Sequence, residues 1–478
     1  MRTPLYQPRP GSIPTLGVPS LDDVKTVHLI GVGGAGMRNL ARLFLARGIR
    51  VSGSDLKDSE ELRQLAAAGA RIRVGHDADA LEAPDAVVIS SAIAEGNPEL
   101  AAARARGLAV WARQQAIAAF ASTHRSIAVA GTTGKTTTTS MIATVLEHAG
   151  LDPTYLIGGD LNESGSGAKT GDGDLFLFEA DESDGSFLLT DPTIGVVTNV
   201  EVDHVDFYPG GEGELRLAFA EFCARAGGVV MCADDEGARE AVRVAGVDAI
   251  RYGVTPNADL RLTIETPGPG GARGSVAVDG RTVPLALPID GAHNLLDATA
   301  AIAVGGVVGV PAEAATLALS SFGGVRRRFE RRGSARGAEF YDDYAHVPTE
   351  LAVTIDVARA RRPRRLVAVF QPHRYSRTRA LWRELGASLT KADLIVVTDV
   401  YGANQAPIPG VTGELVVDGV RRAVPEREVV YTPQREDAIS FLAREVREGD
   451  FVITLGCGDV WMLGDAALAR IGEADADA

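Results

Sequence analysis

Ile127-Ala128-Val129-Ala130-Gly131-Thr132-Thr133-Gly134-Lys135-Thr136-Thr137 is an apolar strand pattern running straight into a glycine loop. The residues that follow place Met141, Ile142, Val145 and Leu146 on one buried helical face. Between a strand and a helix, successive backbone N–H groups and the positive helix end bind phosphate. The loop is two residues shorter than the common G-x-x-x-x-G-K-[ST] form, which takes weight from a generic GTPase. Lys135 is placed to neutralise β- and γ-phosphates, and the Thr136 hydroxyl to ligate Mg²⁺. Only five of the 48 basic residues are lysines, so a lysine inside a glycine loop is informative. A turn that merely joins strand to helix is the alternative, and the flanks count against it.

Outward from this loop, apolar runs ending in glycine or acidic clusters alternate with helical patterns, the mark of parallel sheets covered by helices. The class is α/β throughout. Upstream lie strands at Thr26 to Ile30, Ile49 to Ser52, Ala86 to Ile89 and around Leu108 to Trp111. The polar stretch Ala121 to Ser126 reads as a boundary. Downstream, strands are expected at Leu175 to Phe178 and Ile194 to Val197, then shorter strands with Gly and Pro turns, then helices near Asn294 to Val304 and Pro311 to Ser320. The alternation resumes with strands at Leu366 to Phe370, Leu394 to Val397 and Phe451 to Leu455. The pattern predicts a flexible N-terminal tail over 1–22 and domains over 23–122, 123–325 and 326–478. The proline-rich start, Met1 to Ser20, lacks an apolar signal core, which points to a cytoplasmic chain.

Composition fits this division. At 478 residues the chain has room for two to four domains, and 45% hydrophobic with 23% charged residues describes a globular protein. No apolar run reaches the roughly 18 residues of a spanning helix, so membrane insertion is not expected. A net charge of −15 argues against a broad nucleic-acid or anionic-membrane surface while leaving small phosphorylated ligands open. Three cysteines, Cys223, Cys232 and Cys457, form neither a C-x-x-C pair nor a framework.

Two later strand ends add hard oxygen ligands of the kind that hold Mg²⁺. Glu179-Ala180-Asp181-Glu182-Ser183-Asp184 packs four carboxylates into six residues, which repel unless a cation or basic group lies among them. Thr198-Asn199-Val200-Glu201-Val202-Asp203-His204 ends the next strand. A solvated acidic loop and an ordinary histidine are the bland alternatives. Near the start, Gly31-Val32-Gly33-Gly34-Ala35-Gly36 opens a helix, and Asp55 follows Gly36 by nineteen residues, close to where a ribose-binding carboxylate is expected. An NAD-dependent enzyme competes from this region alone, but it gives no reason for a second phosphate loop. Near the C-terminus, Tyr341 to Pro348 and Phe370 to Arg377 each follow a strand and precede a helix. His373, Arg374 and Arg377 suit carboxylate or phosphate recognition. Arg326-Arg327-Arg328 reads either as a solvated hinge or as a γ-phosphate clamp.

With these residues assembled, the chain resembles the Mur ligases of bacterial cell-wall synthesis, from about residue 25 to about 465. The matching stretches include Gly31 to Met37, Val51 to Asp55, Ser90 to Ile93, Asn97-Pro98-Glu99, the phosphate loop, Glu179 to Asp184, Thr198 to Tyr208, His293-Asn294, Arg327 to Glu330, Asp342 to Glu350, Phe370 to Thr378 and Asp399 to Tyr401. The resemblance implies an N-terminal Rossmann-like domain, a central P-loop ATPase domain and a C-terminal Rossmann-like doubly wound domain that closes over an amino acid. It implies ATP-dependent amide formation in peptidoglycan synthesis through an acyl phosphate, with ADP and phosphate released. The nearest branch joins L-alanine to the lactyl carboxylate of UDP-N-acetylmuramate. A monomer or weak homodimer is expected.

Carried over residue by residue, the resemblance makes Lys135, Glu179, His204, Arg328 and Asp343 catalytic, with Thr136, Glu179 and His204 toward Mg²⁺. It assigns Gly131, Thr132, Thr133, Gly134, Lys135, Thr136, Thr137, His293, Asn294 and Asp297 to ATP. Gly33, Gly34, Ala35, Gly36, Met37, Asp55, Ser90 and Ser91 go to the UDP substrate. Tyr344, His346, His373, Arg374 and Arg377 fall in the region of the incoming amino acid and product. The chain departs from the branch at Thr133 and Val347, usually His, at Asp297, usually Asn, and at Cys457, usually Ala. Around Arg113 the branch usually reads Arg-Ala-Glu-Met-Leu, where this chain has Arg113-Gln114-Gln115-Ala116-Ile117. A diverged paralogue taking another amino acid, a peptide or another UDP-sugar acid stays open, as does a catalytically silent nucleotide-binding scaffold.

Overall fold

A computed structural model of the chain describes residues 3–90, 92–162, 165–201, 207–403 and 405–476. Residues 1–266 with 271–323 form one compact unit, and 324–478 with 267–270 a second. In the first unit, β1 (Thr26–Ile30), α1 (Ala35–Ala46), β2 (Arg50–Asp55), α2 (Glu60–Ala67), β3 (Arg71–Val74), β4 (Ala86–Ile89), α3 (Pro98–Ala105) and β5 (Ala109–Ala112) build a sheet of order β3-β2-β1-β4-β5. Every pairing in it is parallel. The strand order reverses between β1 and β4, where doubly wound sheets open a crevice at the strands' carboxyl ends. The glycine loop leaves β1 and Ser90 follows β4 at that point.

Helix α4 (Arg113–Ala121) leads to the second sheet. Its members are β6 (Arg125–Ala130), α5 (Lys135–His148), β7 (Thr154–Leu156), β8 (Ala168–Lys169), β9 (Leu175–Glu179), β10 (Ile194–Val197), α6 (Glu212–Arg225), β11 (Val229–Cys232), α7 (Glu236–Ala245), β12 (Ala249–Gly253), β13 (Leu260–Thr266), β14 (Arg273–Val278), β15 (Arg281–Ala286), α8 (Ala292–Val307) and α9 (Ala312–Leu319). The ten strands run β15-β14-β13-β12-β11-β10-β6-β9-β7-β8. β6 lies between β9 and β10, parallel to both, so the loops after β6, β9 and β10 emerge side by side. The Gly- and Pro-rich region forms the antiparallel edge β13-β14-β15.

Helix α4, beside the boundary drawn at 122/123, packs between the two sheets of the first unit through apolar contact. Phe120 lies 5.2 Å from Phe44 on one side and 6.2 Å from Phe176 on the other, and all three rings are buried in one core. A polar stretch in sequence marks a turn and says nothing about the ring just before it. The first 22 residues, expected as a flexible tail, are anchored to the first unit at several points. Tyr6 is 7% exposed, the Leu5 N–H donates to Glu221 at 2.8 Å, and Gln115 Nε2 donates to the Gly17 carbonyl at 2.9 Å. The prolines favour an extended strap without hydrophobic periodicity, which hides its packing from pattern analysis.

The second unit holds β16 (Glu330–Ala335), β17 (Ala338–Asp343), α10 (Pro348–Ala360), β18 (Arg365–Phe370), α11 (Tyr375–Leu389), β19 (Leu394–Val397), α12 (Glu414–Ala423), β20 (Glu428–Tyr431), α13 (Arg435–Glu445), β21 (Asp450–Leu455) and α14 (Val460–Ala476), in sheet order β16-β17-β21-β18-β19-β20. β17, β21 and β18 are neighbouring parallel strands. Their alternating side chains fill two cores, one on each face.

Candidate active site

Gly131 and Gly134 have φ of +148° and +80°, and these let the chain turn sharply from β6 into α5. Gly134 caps α5 without a side-chain acceptor, which leaves the first-turn N–H groups directed into the loop. The loop is held from the neighbouring strand end. Asn199 Oδ1 accepts from the Thr133 N–H at 2.9 Å, its Nδ2 donates to the Thr133 carbonyl at 3.0 Å, and the Thr198 hydroxyl donates to the same carbonyl at 2.7 Å. Thr133, usually His in the resembling branch, also accepts at its hydroxyl from Asn199 Nδ2 at 2.9 Å.

Lys135 folds back over the loop. Its ammonium donates to the Thr132 carbonyl at 3.2 Å and to Glu182 Oε2 at 2.8 Å. Glu182 is 1% exposed. Burial works against the Lys135 charge, but Glu182, Asp181 and Glu179 outweigh it and raise the lysine above its ordinary value. Glu179, at the end of β9, accepts from the Thr136 hydroxyl at 3.2 Å and from the Gly158 N–H at 2.6 Å. The acidic stretch is therefore a structured lining of the phosphate loop, not a solvated loop. These hard oxygen donors suit Mg²⁺. His204 lies outside the described residues.

Arg113 explains how the remaining carboxylates are tolerated. At the start of α4 its guanidinium sits against Gly36, where an added Cβ would fall on Nη1, and its charge faces Asp181 and Asp184. Burial favours protonation of Asp181, but Lys135, Ser183 and Arg113 prevail and lower it. Burial and the Asp181 charge raise Asp184, which accepts from Gln114 Nε2 at 2.8 Å. Arg113 Nε is buried without a hydrogen-bond partner among the described residues. Arg113 thus joins the first glycine loop to the acidic lining, a link that its 68-residue separation from Asp181 conceals in sequence.

In the first loop, Asp55 Oδ2 accepts from the Gly33 N–H at 2.9 Å, and the Ser54 carbonyl accepts from Gly31 and Val32 at 2.8 and 3.0 Å. Gly34, Ala35 and Met37 carry the start of α1, Ser90 begins the turn closed by the Ile93 N–H at 3.1 Å, and Ser91 lies outside the described residues. Below them is a polar knot that sequence reasoning missed. Fully buried Glu99 accepts from the Ser54 hydroxyl and meets His76 Nδ1 at 3.0 Å. Asn294 Nδ2 donates to the Asp290 carbonyl at 2.6 Å, and His293 lies beside it at the start of α8. Asp297 is buried against the phosphate loop, accepting from the Thr138 hydroxyl at 2.8 Å.

In the second unit the three parallel strand ends gather the remaining residues. Asp343 is buried and accepts from the Phe329 and Ala345 N–H groups at 2.7 and 2.8 Å; burial raises its carboxyl, with Arg328 opposing. The Arg328 guanidinium lies 5.0 Å from the Tyr344 ring centre. His346 and His373 have ring centres 5.7 Å apart, and Arg377 Nη1 donates to His373 Nδ1 at 3.2 Å. Arg374 takes a left-handed φ of +66° at the start of α11 and donates its N–H to the Tyr401 carbonyl at 2.8 Å. Such strain collects where a fold positions functional groups. Arg327, read with its neighbours as a hinge or clamp, is held by its own unit. Its Nε donates to Asp342 at 2.9 Å and its two terminal nitrogens to the Gly458 and Gly456 carbonyls at 3.0 and 2.6 Å.

Comparison with known proteins agrees with this architecture along the chain. Residues 26–125 match the family profile described as "Mur ligase family, catalytic domain", 129–305 the "Mur ligase middle domain" and 327–458 the "Mur ligase, glutamate ligase domain". The chain is 47% identical to UDP-N-acetylmuramate–L-alanine ligase of Saccharopolyspora erythraea over 95% of each chain. It is 44% identical to the enzyme of that name from Thermobifida fusca, over 95% of this chain and 98% of the relative. The crystal structure of UDP-N-acetylmuramate-alanine ligase from Thermotoga maritima superposes with a TM-score of 0.80 at 27% identity, covering 95% of this chain and 100% of that one. A murein peptide ligase from Psychrobacter arcticus gives 0.72 at 26% identity, covering 94% and 99%. With all three of its domain profiles matched in order and relatives near half identical from end to end, the chain belongs to the Mur ligase family.

Proposed function

We propose that this protein joins L-alanine to the lactyl carboxylate of UDP-N-acetylmuramate at the expense of ATP. The observation that carries the proposal is the half-buried Lys135 at the start of α5, held against Glu182 beside the Thr136–Glu179 pair. A carboxylate and an ammonium group form an inert ion pair, so the carboxylate oxygen must first become part of a leaving group. In the proposed reaction that oxygen attacks the γ-phosphorus, the bond to ADP breaks, and the amine then displaces phosphate from the acyl phosphate. Lys135 exchanges its bond to Glu182 for the arriving phosphates, and the first-turn N–H groups of α5 hold their oxygens. Thr136 and Glu179 are the described residues that would hold Mg²⁺, which would supply positive charge beside the transferring group.

Asp55 and the α1 start take the UDP end, with Arg113 facing the substrate's anionic groups. Tyr344, His346, His373, Arg374 and Arg377 take the amino acid, while Asp343 fixes the Arg328 and Tyr344 loops. Among the described residues no helix is long and apolar enough to cross a membrane. The proposal includes a cytoplasmic enzyme acting as a monomer or weak homodimer. A second reading, in which the acceptor is a peptide, draws on Thr133, Val347 and Cys457 and on the likeness to the murein peptide ligase. Phosphate release from ATP, Mg²⁺ and UDP-N-acetylmuramate, with L-alanine, glycine, L-serine or a tripeptide in separate reactions, decides. Release requiring L-alanine supports the proposal, and release requiring the peptide replaces it with the second reading.

A further inference from the structure

His346, His373 and Cys457 lie beyond the carboxyl ends of β17, β18 and β21, three neighbouring parallel strands, and each offers one ligand atom within 4.8 Å of the others. We propose that these three side chains form a binding site for a thiophilic divalent cation of the Zn²⁺ class, and that its occupancy competes with the amino-acid substrate. Two imidazoles and a thiolate with an open fourth position form a donor set that suits Zn²⁺ and excludes Mg²⁺.

The site is built, not accidental. Cys457 sits between Gly456 and Gly458, whose carbonyls are both held by the Arg327 guanidinium, itself fixed by Asp342. Gly456 has φ of +145°, donates its N–H to the Asp343 carbonyl at 3.1 Å, and turns the thiol back over the sheet. His346 Nδ1 faces the Tyr344 carbonyl at 3.1 Å and the Glu350 carboxylate at 3.3 Å, which favours the tautomer with its lone pair on Nε2. A carboxylate behind a ligating histidine is the usual support of such a metal site. Arg377 Nη1 donates to His373 Nδ1 at 3.2 Å, so this ring ligates the ion only by giving up that bond. The ring also stacks on Tyr401, with centres 5.9 Å apart and planes 13° apart.

Binding removes the thiol proton to solvent, because only the thiolate ligates. Competition with the amino acid rests on the assignment of His346 and His373 to that substrate. Cys457 is outside that assignment.

The test uses the full chain freed of transition metals and assayed with Mg²⁺ alone. Co²⁺ titration should raise a thiolate-to-metal charge-transfer band in the near ultraviolet that saturates at one ion per chain and disappears on adding Zn²⁺. Cys457→Ala should lose the band while keeping wild-type turnover and circular dichroism. With Zn²⁺ at ten times its Kd, the wild-type KM for L-alanine should rise about tenfold and that of Cys457→Ala should not change. Absence of the band, or its persistence in Cys457→Ala, overturns the site. A band without a change in KM overturns the competition. Absence of any L-alanine-dependent phosphate release in Mg²⁺ alone would instead refute the proposed function, and the Co²⁺ titration reads independently of it.

Discussion

Lys135→Ala removes two things at once, and the structure allows them to be separated. The first is a counter-charge. Glu182 is 1% exposed, and its carboxylate lies 2.8 Å from the lysine ammonium. Removing one partner of a buried pair costs about 3–5 kcal/mol. The lysine side chain retains 17% exposure, through which water reaches the orphaned carboxylate, so we place the loss at the lower end, about 3 kcal/mol. The second is the charge that meets the phosphates. Loss of one group directed at a developing anion lowers kcat by about a hundred- to a thousandfold. Lys135→Ala with Glu182→Gln keeps the second loss and relieves the first, because the amide carries no charge into the interior. Native-state hydrogen exchange of β6, β9 and α5 amides should show weakened protection in the single variant and recovery in the double variant, while phosphate release stays depressed in both. Recovery of turnover in the double variant would refute the reasoning, since Lys135 would then be only a structural partner of Glu182.

The same lysine gives a pH dependence. Its folded value is raised above 10.5, so it contributes stability that is complete below pH 10.5 and is lost as pH rises through the folded value. The difference in stability between wild type and the double variant should shrink above pH 10.5, and a constant difference through strong alkali would contradict the assignment. Glu179→Gln should shift the Mg²⁺ midpoint of phosphate release upward about tenfold, consistent with loss of one charged oxygen ligand. An unaltered titration would return Glu179 to a role in holding Gly158. Arg113→Met, close in length, should raise KM for the UDP substrate by more than about tenfold. It should also raise the Asp181 carboxyl, visible as a shifted acidic limb of the rate profile, and an unchanged KM would leave Arg113 as a counter-ion alone. Asp297→Asn should change KM for ATP less than about threefold, because the amide oxygen still accepts from Thr138. A larger change would show that the carboxylate has a role at the nucleotide.

What sequence revealed and what it hid divide along physical lines. The strands Ala86–Ile89, Ile194–Val197 and Leu394–Val397 were legible to the residue, because buried parallel strands are short apolar runs bounded by turn signals. The phosphate loop was legible because its glycines, lysine and helix start are contiguous. Contacts across the fold were not. Nothing near Arg113 in sequence announces Gly36 or Asp181, and nothing near Glu182 among four carboxylates marks it as the partner of Lys135. Arg327 reads like its two arginine neighbours until Asp342 and the Gly456 and Gly458 carbonyls surround it. Tyr6 looked mobile because prolines erase periodicity without preventing burial. The nearness of Cys457 to two histidines over a hundred and over eighty residues away follows from strand order, which no local pattern encodes.

The central claim is that the phosphate loop and its acidic lining transfer a phosphoryl group to a carboxylate oxygen. UDP-N-acetylmuramate carrying ¹⁸O in its lactyl carboxylate, incubated with the enzyme, ATP, Mg²⁺ and L-alanine, tests it most directly through the mass of the phosphate released. With both carboxylate oxygens labelled, the account predicts one ¹⁸O in each phosphate formed and the other retained in the amide carbonyl. Phosphate free of the label, with product still formed or ATP merely hydrolysed, would contradict it.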